Sequence, residues 1–479
     1  MYCGLDLGSS SLKGLLVDAS GRQLAWGKAE VRISHDGSRY HSDPLEWEQA
    51  LISVFGQLTR LLPGGSASIR AIAISGNGPT LVPVGHDGRP LGSAAPWLDR
   101  DAATQAARIQ VLADQLPTTG PAVDPSFYLP KVLRFVDEHP AAAGQLRYFF
   151  SAPEYLAYQL GADPVSYLAD PYYDRFVWFS ALHAGLGLDP SWFPDYVRPG
   201  QTIGRVSAAA AAKYGISAGT VLAAGFPDFL SALVGSGTVQ PGLVCDRSGS
   251  SEALNLCTKA PLEGSGLFNL PHALPGLWNS SGGVSASGRS LAQVRQLLGF
   301  TTVDQLLAAA EESQPGARGL CYLPFPDGER APLWDSGLRA AWIGLDSRHS
   351  RADMARAVAE GIVFGLRLSL QAMQDAGAVV DEIRLSGAAA RNDFICRLKA
   401  DIWAKPLRGL GLPESECSGA ACACACALGD AADLREAAGQ LVHPAGNWEP
   451  VHPDNYTGSW ELFQAALARE QTARKRNPA

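Results

Sequence analysis

Residues 4–18 read GLDLGSSSLKGLLVD, and the folding of this stretch decides the architecture around it. Apolar runs flank a Gly-Ser-Ser-Ser turn, a pattern that predicts two short strands joined tightly. A further turn, ASGR at 19–22, and a third apolar run over 23–33 extend the pair to a meander. The first turn also has chemistry. Glycine permits close approach to the backbone, and N–H groups and hydroxyls with nothing bulky among them suit phosphate oxygens. Asp6 precedes the turn and Lys13 follows it. A carboxylate at Asp6 can hold a hydrated Mg²⁺, and an ammonium at Lys13 can offset phosphate charge. A plain hairpin would use the same residue types, so one such turn says little.

The turn does not stand alone. Residues 246–256, DRSGSSEALNL, repeat its aspartate, glycine, serine pair and apolar strand with an offset of one residue. A third small-residue turn, LSGAAARN at 385–392, also follows a strand-like run. Two related halves, each opening on the same phosphate-sized turn, account for the repetition. None of the three matches a Walker A loop or a dinucleotide fingerprint.

Between these turns the patterning alternates. A helix is expected over 44–62, a buried strand over 69–75 ending in GNGPT at 76–80, and a D-G hairpin over 81–92. Residues 101–220 are mixed and include the aromatic-rich stretch SYLADPYYDRFVWF. A long helix is marked by capping-box spacing at Ser350 and Asp353, an apolar face of Met354, Val358, Ile362, Leu366 and Leu370, and a stop at Gly377. Strand, glycine turn and helix then follow over 380–404. Meanders interleaved with crossover helices indicate an α/β protein.

Composition narrows the function. A chain of 479 residues, 46% hydrophobic and 18% charged, suits two or three folded domains. A net charge of −8 gives no electrostatic footprint for nucleic acid. No apolar run is long enough for a bilayer, so no membrane partner is expected. Nine cysteines without disulfide or zinc spacing fit a reducing cytoplasm. Three of them lie in ACACACA at 421–427, which reads as an alanine-rich helix whose small thiols allow tight packing. Asp228, in VLAAGFPDFLSALVGSG at 221–237, is a carboxylate among apolar neighbours and needs a reason to be there.

Taken together, these motifs resemble the FGGY carbohydrate kinases, and among them the xylulokinase-like branch. GLDLGSSSLKGLLVD is similar to the first phosphate motif of that family, SGSSEAL to the second, and IRLSGAAARNDFICRLKADI to the adenosine motif. Residues 327–366 resemble the long C-terminal signature. The resemblance implies two ribonuclease-H-like domains of the actin-like ATPase kind, 1–224 and 225–479, with an interdomain active-site cleft. It implies ATP and Mg²⁺ as cofactors and transfer of the γ-phosphoryl group to a hydroxyl of a small sugar or polyol, a pentulose such as D-xylulose being the first choice. Asp228 matches the catalytic base. Gly8, Ser9 and Ser10, with Gly249, Ser250 and Ser251, match the phosphate cradle, joined by Asp6 and Lys13. Gly387, Ala388 and Asn392 match the adenosine side. Asn77, Trp97, Asp99 and Arg100 fall where the family lines its sugar pocket, and Asp170, Tyr172 and Tyr173 are further candidates. A homodimer fits the same resemblance.

Two departures bear on the substrate. Xylulokinases carry Gly-Gln-Met-His-Gly where this chain has GNGPT, so Asn77, Gly78 and Pro79 replace Gln, Met and a sugar-contacting His. Phe229 follows the base where a polar residue is usual. Two other readings of the superfamily stay open on sequence: an ATP-driven conformational switch and a catalytically inactive sugar sensor.

Overall fold

The computed structural model describes residues 1–476 apart from 61, 63–64, 118–120 and 413. The chain divides into two compact units. The first comprises Met1–Gly237, Ala273–Pro275 and Glu414–Val442, and the second Thr238–His272, Gly276–Pro413 and His443–Ala479. The first unit thus extends past residue 224 and takes back a segment from near the C-terminus. Local patterning could not show that return, because what fixes it is contact between residues hundreds of positions apart.

The first unit is built on a six-stranded mixed sheet ordered Thr202–Arg205, Val221–Ala223, Ala71–Gly76, Tyr2–Leu7, Ser11–Val17, Gln23–Glu30. The expected hairpin is present, with Asp6 opposite Lys13 and Leu7 opposite Leu12. Gly8 N–H donates to the Ser11 carbonyl at 2.9 Å to close its turn. Every residue of Tyr2–Leu7 is buried because the strand is covered on both faces. Side chains alternate along a strand, so Cys3 and Leu5 share one face while Gly4 and Asp6 share the other. The Pro44–Thr59 helix brings Leu51, Val54, Phe55 and Leu58 to the core of this sheet.

On the Gly4 side lies the Ser415–Ala427 helix, the cysteine-rich stretch. Its contacts are backbone to backbone. A Cβ on Gly4 would fall 1.9 Å from the Cys417 carbonyl oxygen, and one on Gly419 would fall 2.0 Å from that of Ser231 on the Asp228–Gly235 helix. Cys417, Cys422 and Cys424 are fully buried in this seam, so small thiols do serve close packing here. All nine cysteines are free. Arg70 and the Tyr2 hydroxyl both bind Asp430, holding the returning segment in place. We expect Gly419→Ala to destabilise the protein by about 2 kcal/mol or more through overpacking. Gly439→Ala, on the Leu434–Leu441 helix with nothing within 4 Å, should instead stabilise by about 0.5 kcal/mol. Urea midpoints of the two variants test the contrast.

Other elements depart from sequence expectation in detail. The first helix ends at Thr59, and the third strand at Glu30. The D-G hairpin is present in short form: Gly85 N–H donates to the Arg89 carbonyl and Leu91 N–H to that of Pro83, both at 2.9 Å, around a Val84–Pro90 bridge. Its first arm, Leu81–Gly85, also pairs with Leu146–Ser151. The mixed region includes helices Ala103–Ala113, Tyr128–Glu138 and Ala152–Leu160.

The second unit repeats the plan. Its seven-stranded sheet is ordered Phe268–Pro271, Trp278–Val284, Glu252–Thr258, Leu243–Ser248, Glu382–Gly387, Leu407–Leu410, Pro444–Trp448. An antiparallel meander leads to a parallel neighbour, as in the first unit, so the sequence echo at 246–256 is an architectural one. The turn is one residue shorter, with Gly249 N–H donating to the Ser251 carbonyl at 2.8 Å. The Arg351–Asp375 helix carries the expected capping box, and Gly377 follows it at φ 82.

Candidate active site

In the first unit, three elements bring acidic groups together. Asp6 comes from the end of the first strand, where 6% of it is exposed and Ser75 donates to its carboxylate at 2.8 Å. Asp228 is the first residue of the Asp228–Gly235 helix, and Glu416 lies in the first turn of the Ser415–Ala427 helix. The Ser231 hydroxyl donates to the Glu416 carbonyl at 2.7 Å, locking the two helix starts together. Burial pushes the Asp6 carboxyl well above the usual range, and the negative charges of Glu416 and Asp228 push it further.

Asp228 opens a helix rather than ending a strand, since the preceding strand stops at Ala223. A helix N-terminus favours a carboxylate. The side chain is half-buried, not enclosed, and accepts from Phe229 N–H at 2.6 Å. Its apolar neighbours pack the helix while the carboxylate stays accessible.

Around this acidic centre the turn at Gly8, Ser9 and Ser10 is flanked by two contacts. Trp97 is 41% exposed and its indole N–H donates to the Ser9 hydroxyl at 2.9 Å. Lys13 donates to Glu414 at 2.6 Å. Burial opposes the lysine's charge, yet the Glu414 hydrogen bond and charge outweigh it, and its pKa is raised. Glu414 and Glu416 escaped the sequence reading. Glu414 stands 401 residues from Lys13 and Glu416 stands 185 from Ser231, and nothing in their local pattern marks them.

The other residues expected at the sugar pocket also make contacts within the fold. Asn77 is buried, donating to the Leu7 carbonyl at 3.0 Å and accepting from Thr80 at 2.6 Å. Asp99 is fully buried against Arg134, so its carboxylate is satisfied inside the protein. Arg100 does not pair with Asp99; it reaches Asp124 at 2.7 Å and stays largely exposed. Asp170 caps its own short helix by accepting from Tyr172 N–H, and the Tyr173 ring meets Phe229 beside Asp228.

In the second unit, a cavity of about 330 Å³ opens beside Gly249, Ala388 and Asn392, with Leu291, Leu307 and Ile362 forming apolar walls. Gly387, at φ 84, has room for no Cβ: one would lie 2.0 Å from the Ser248 carbonyl oxygen. Asn392 caps the Asp393–Trp403 helix. Ser250 and Ser251 are exposed at the turn.

The floor of this cavity holds a buried ionic group that no sequence pattern announced. Lys399 donates to Asp246 at 2.5 Å and to Glu252, and Glu252 also accepts from the Ser287 hydroxyl. Asp246 is the counterpart of Asp6 in the sequence echo, and it shares the buried Lys399 with the neighbouring carboxylate of Glu252. Burial drives its carboxyl upward, with Glu252 adding and Lys399 opposing. Lys399 is in turn raised by the two carboxylates, against the effect of its burial.

Models of the N-terminal and C-terminal domains of the FGGY family of carbohydrate kinases match residues 1–235 and 247–428, and the chain belongs to that family. As a member it is an ATP-dependent phosphotransferase. A xylulose kinase from Staphylococcus epidermidis is 27% identical, the match spanning 96% of this chain and 95% of that protein. A gluconokinase from Bacillus licheniformis is 25% identical over 89% of this chain and 87% of its own. Among solved structures, that of a xyloylose kinase from Brucella ovis superposes with a TM-score of 0.85 at 24% identity, covering 98% and 99% of the two chains. No helix among the described residues is long and apolar enough to cross a membrane.

Proposed function

We propose that the chain phosphorylates a hydroxyl of a pentulose, D-xylulose being the first candidate, with Asp228 as the base that accepts the hydroxyl proton. The observation that carries this reading is the grouping of Asp228 and Asp6 beside the Gly8–Ser10 turn, an accessible carboxylate next to a phosphate-sized cradle. Phosphoryl transfer needs little more than positioning, charge neutralisation and one proton acceptor. Lys13, held by Glu414, would face the transferring phosphate from the strand after the turn. Gly249, Ser250 and Ser251 would hold phosphate oxygens from the second unit, with Gly387, Ala388 and Asn392 on the adenosine side of the cavity.

The residues present fit Mg²⁺. Mutual repulsion among Asp6, Asp228 and Glu416, felt by a buried Asp6, is what a divalent cation relieves. Among the described residues no three acidic, His or Cys groups form a cage for a metal. Asp6 would therefore hold the ion together with water and nucleotide phosphates, the usual habit of Mg²⁺. When bound, the ion would neutralise phosphate charge. On the acceptor side, Trp97 offers an apolar face to sugar C–H groups and Arg100 a donor to hydroxyls, while Asn77 and Asp99 shape the turns beneath them.

The xylulose kinase relatives support a ketopentose, and the gluconokinase relative supports an aldonate as the second reading. A coupled assay of ADP release over D-xylulose, D-ribulose, D-gluconate and glycerol tests the choice. D-Xylulose is expected to give the highest kcat/KM; a higher value for gluconate would overturn the pentulose assignment.

A further inference from the structure

Lys131 is 1% exposed, a lysine in the interior of the first unit with no carboxylate bonded to its ammonium. Its Nζ donates instead to two backbone carbonyls, Pro79 at 2.7 Å and Pro96 at 2.8 Å. These carbonyls belong to different turns. Pro79 lies in the GNGPT turn after the Ala71–Gly76 strand, and Pro96 directly precedes Trp97. Burial pushes the Lys131 amine down to about 7, with Asp99 opposing. Charged or neutral, the amine keeps two N–H groups, enough for both carbonyls.

One helical turn further along Tyr128–Glu138, Arg134 grips the second turn again through the buried Asp99. Residues three apart share a helix face, so one face of this helix holds both turns from below. The turns already touch at one end, where Leu81 and Ala95 exchange a pair of backbone hydrogen bonds of 2.9 Å. Lys131 joins them again beside that pair, through Pro79, two residues before Leu81, and Pro96, directly after Ala95. Thr80, next to Pro79, fixes Asn77. Without the amine the Pro79 carbonyl would lose this donor and the Pro96 carbonyl would keep only the Asp99 N–H, so the amine constrains the spacing of the turns.

We propose that Lys131 is a positioning residue that couples the 76–80 turn to the 95–99 turn, so that the acceptor side of the site is held as a single piece. The inference rests on the reading of these turns as the acceptor side. It does not require Lys131 to touch substrate, and its partners are carbonyls, not reacting atoms.

Lys131→Met keeps the apolar stem and removes both donors, and Lys131→Gln is the second variant should the first fail to fold. Hydrogen exchange on the substrate-free protein is one readout. Exchange in 77–81 and 95–99 should rise together by about tenfold or more, with the Ala71–Gly76 strand little changed. Steady-state kinetics is the other: KM for the sugar should rise at least about tenfold while KM for ATP stays within about twofold. Tyr155→Phe, which loses a buried hydrogen bond to Glu48 in the same unit, should leave the sugar KM unchanged even if it lowers Tm. Exchange confined to one turn, or equal rises in both KM values, would overturn the coupling. A wild-type enzyme with no sugar-dependent turnover would overturn the acceptor reading instead, and the exchange experiment would still decide the coupling.

Discussion

Asp228→Asn is expected to lower kcat by two to four orders of magnitude, the range typical of a lost general base, of about 10²–10⁴. The substitution is nearly isosteric and keeps an oxygen to accept from Phe229 N–H, the contact made at 2.6 Å in the wild type. It removes proton-accepting capacity and one negative charge from a site where Asp6 already feels two. Stability should therefore hold or rise slightly. Nucleotide affinity should change little, because the cavity at Gly249, Ala388 and Asn392 is built from other residues. Single-turnover kinetics with ATP and sugar, beside calorimetric titration of ADP, separate the two effects. A variant that keeps near wild-type turnover would remove Asp228 from the mechanism.

Lys399→Met should be the most destabilising single change proposed. The lysine is buried between Asp246 and Glu252, and its loss strands two carboxylates in the interior of the second unit. Removing one partner from a buried ionic group costs about 3–5 kcal/mol. The sign of the pH effect follows from the same geometry. Without the ammonium, burial and mutual repulsion raise both carboxyl pKa values above their unfolded values. The folded state then binds more protons than the unfolded chain, and stability falls as pH rises from about 4. The deficit of the variant relative to wild type should thus be larger at pH 8 than at pH 5. Because Lys399 and Glu252 also line the cavity, ADP affinity should fall as well. Thermal melts at the two pH values with and without ADP check both statements; a pH-independent deficit would contradict the ionic account.

These residues also show where sequence patterning is informative. The hairpin at 2–17 and its echo at 243–258 are apolar runs around small-residue turns, and the capped helix at 351–375 follows the 3.6-residue period, so their local sequence carries them. The Gly-Ser turns and Asp228 stood out because their residue types are unusual for their surroundings. Lys131 and Lys399 did not, since a lysine inside an amphipathic helix reads as a solvated residue until tertiary contact buries it. Asp99 and Arg100 illustrate the same limit. Adjacent in sequence, they suggest one polar pair, yet the fold sends Asp99 inward to Arg134 and Arg100 outward to Asp124. Glu414 meets Lys13 across a separation of 401 residues, which no local pattern encodes. The glycines at 4 and 419 belong to this class too: their requirement comes from a helix that arrives at the end of the chain.

The most direct test of the account follows the phosphorus itself. Wild-type protein with ATP, Mg²⁺ and D-xylulose should yield a sugar phosphomonoester in one-to-one proportion with ADP in phosphorus NMR spectra, with almost no inorganic phosphate, and Asp228→Asn should suppress that signal. Release of inorganic phosphate without a sugar ester, or ester formation undiminished in the variant, would contradict transfer to a pentulose hydroxyl assisted by Asp228.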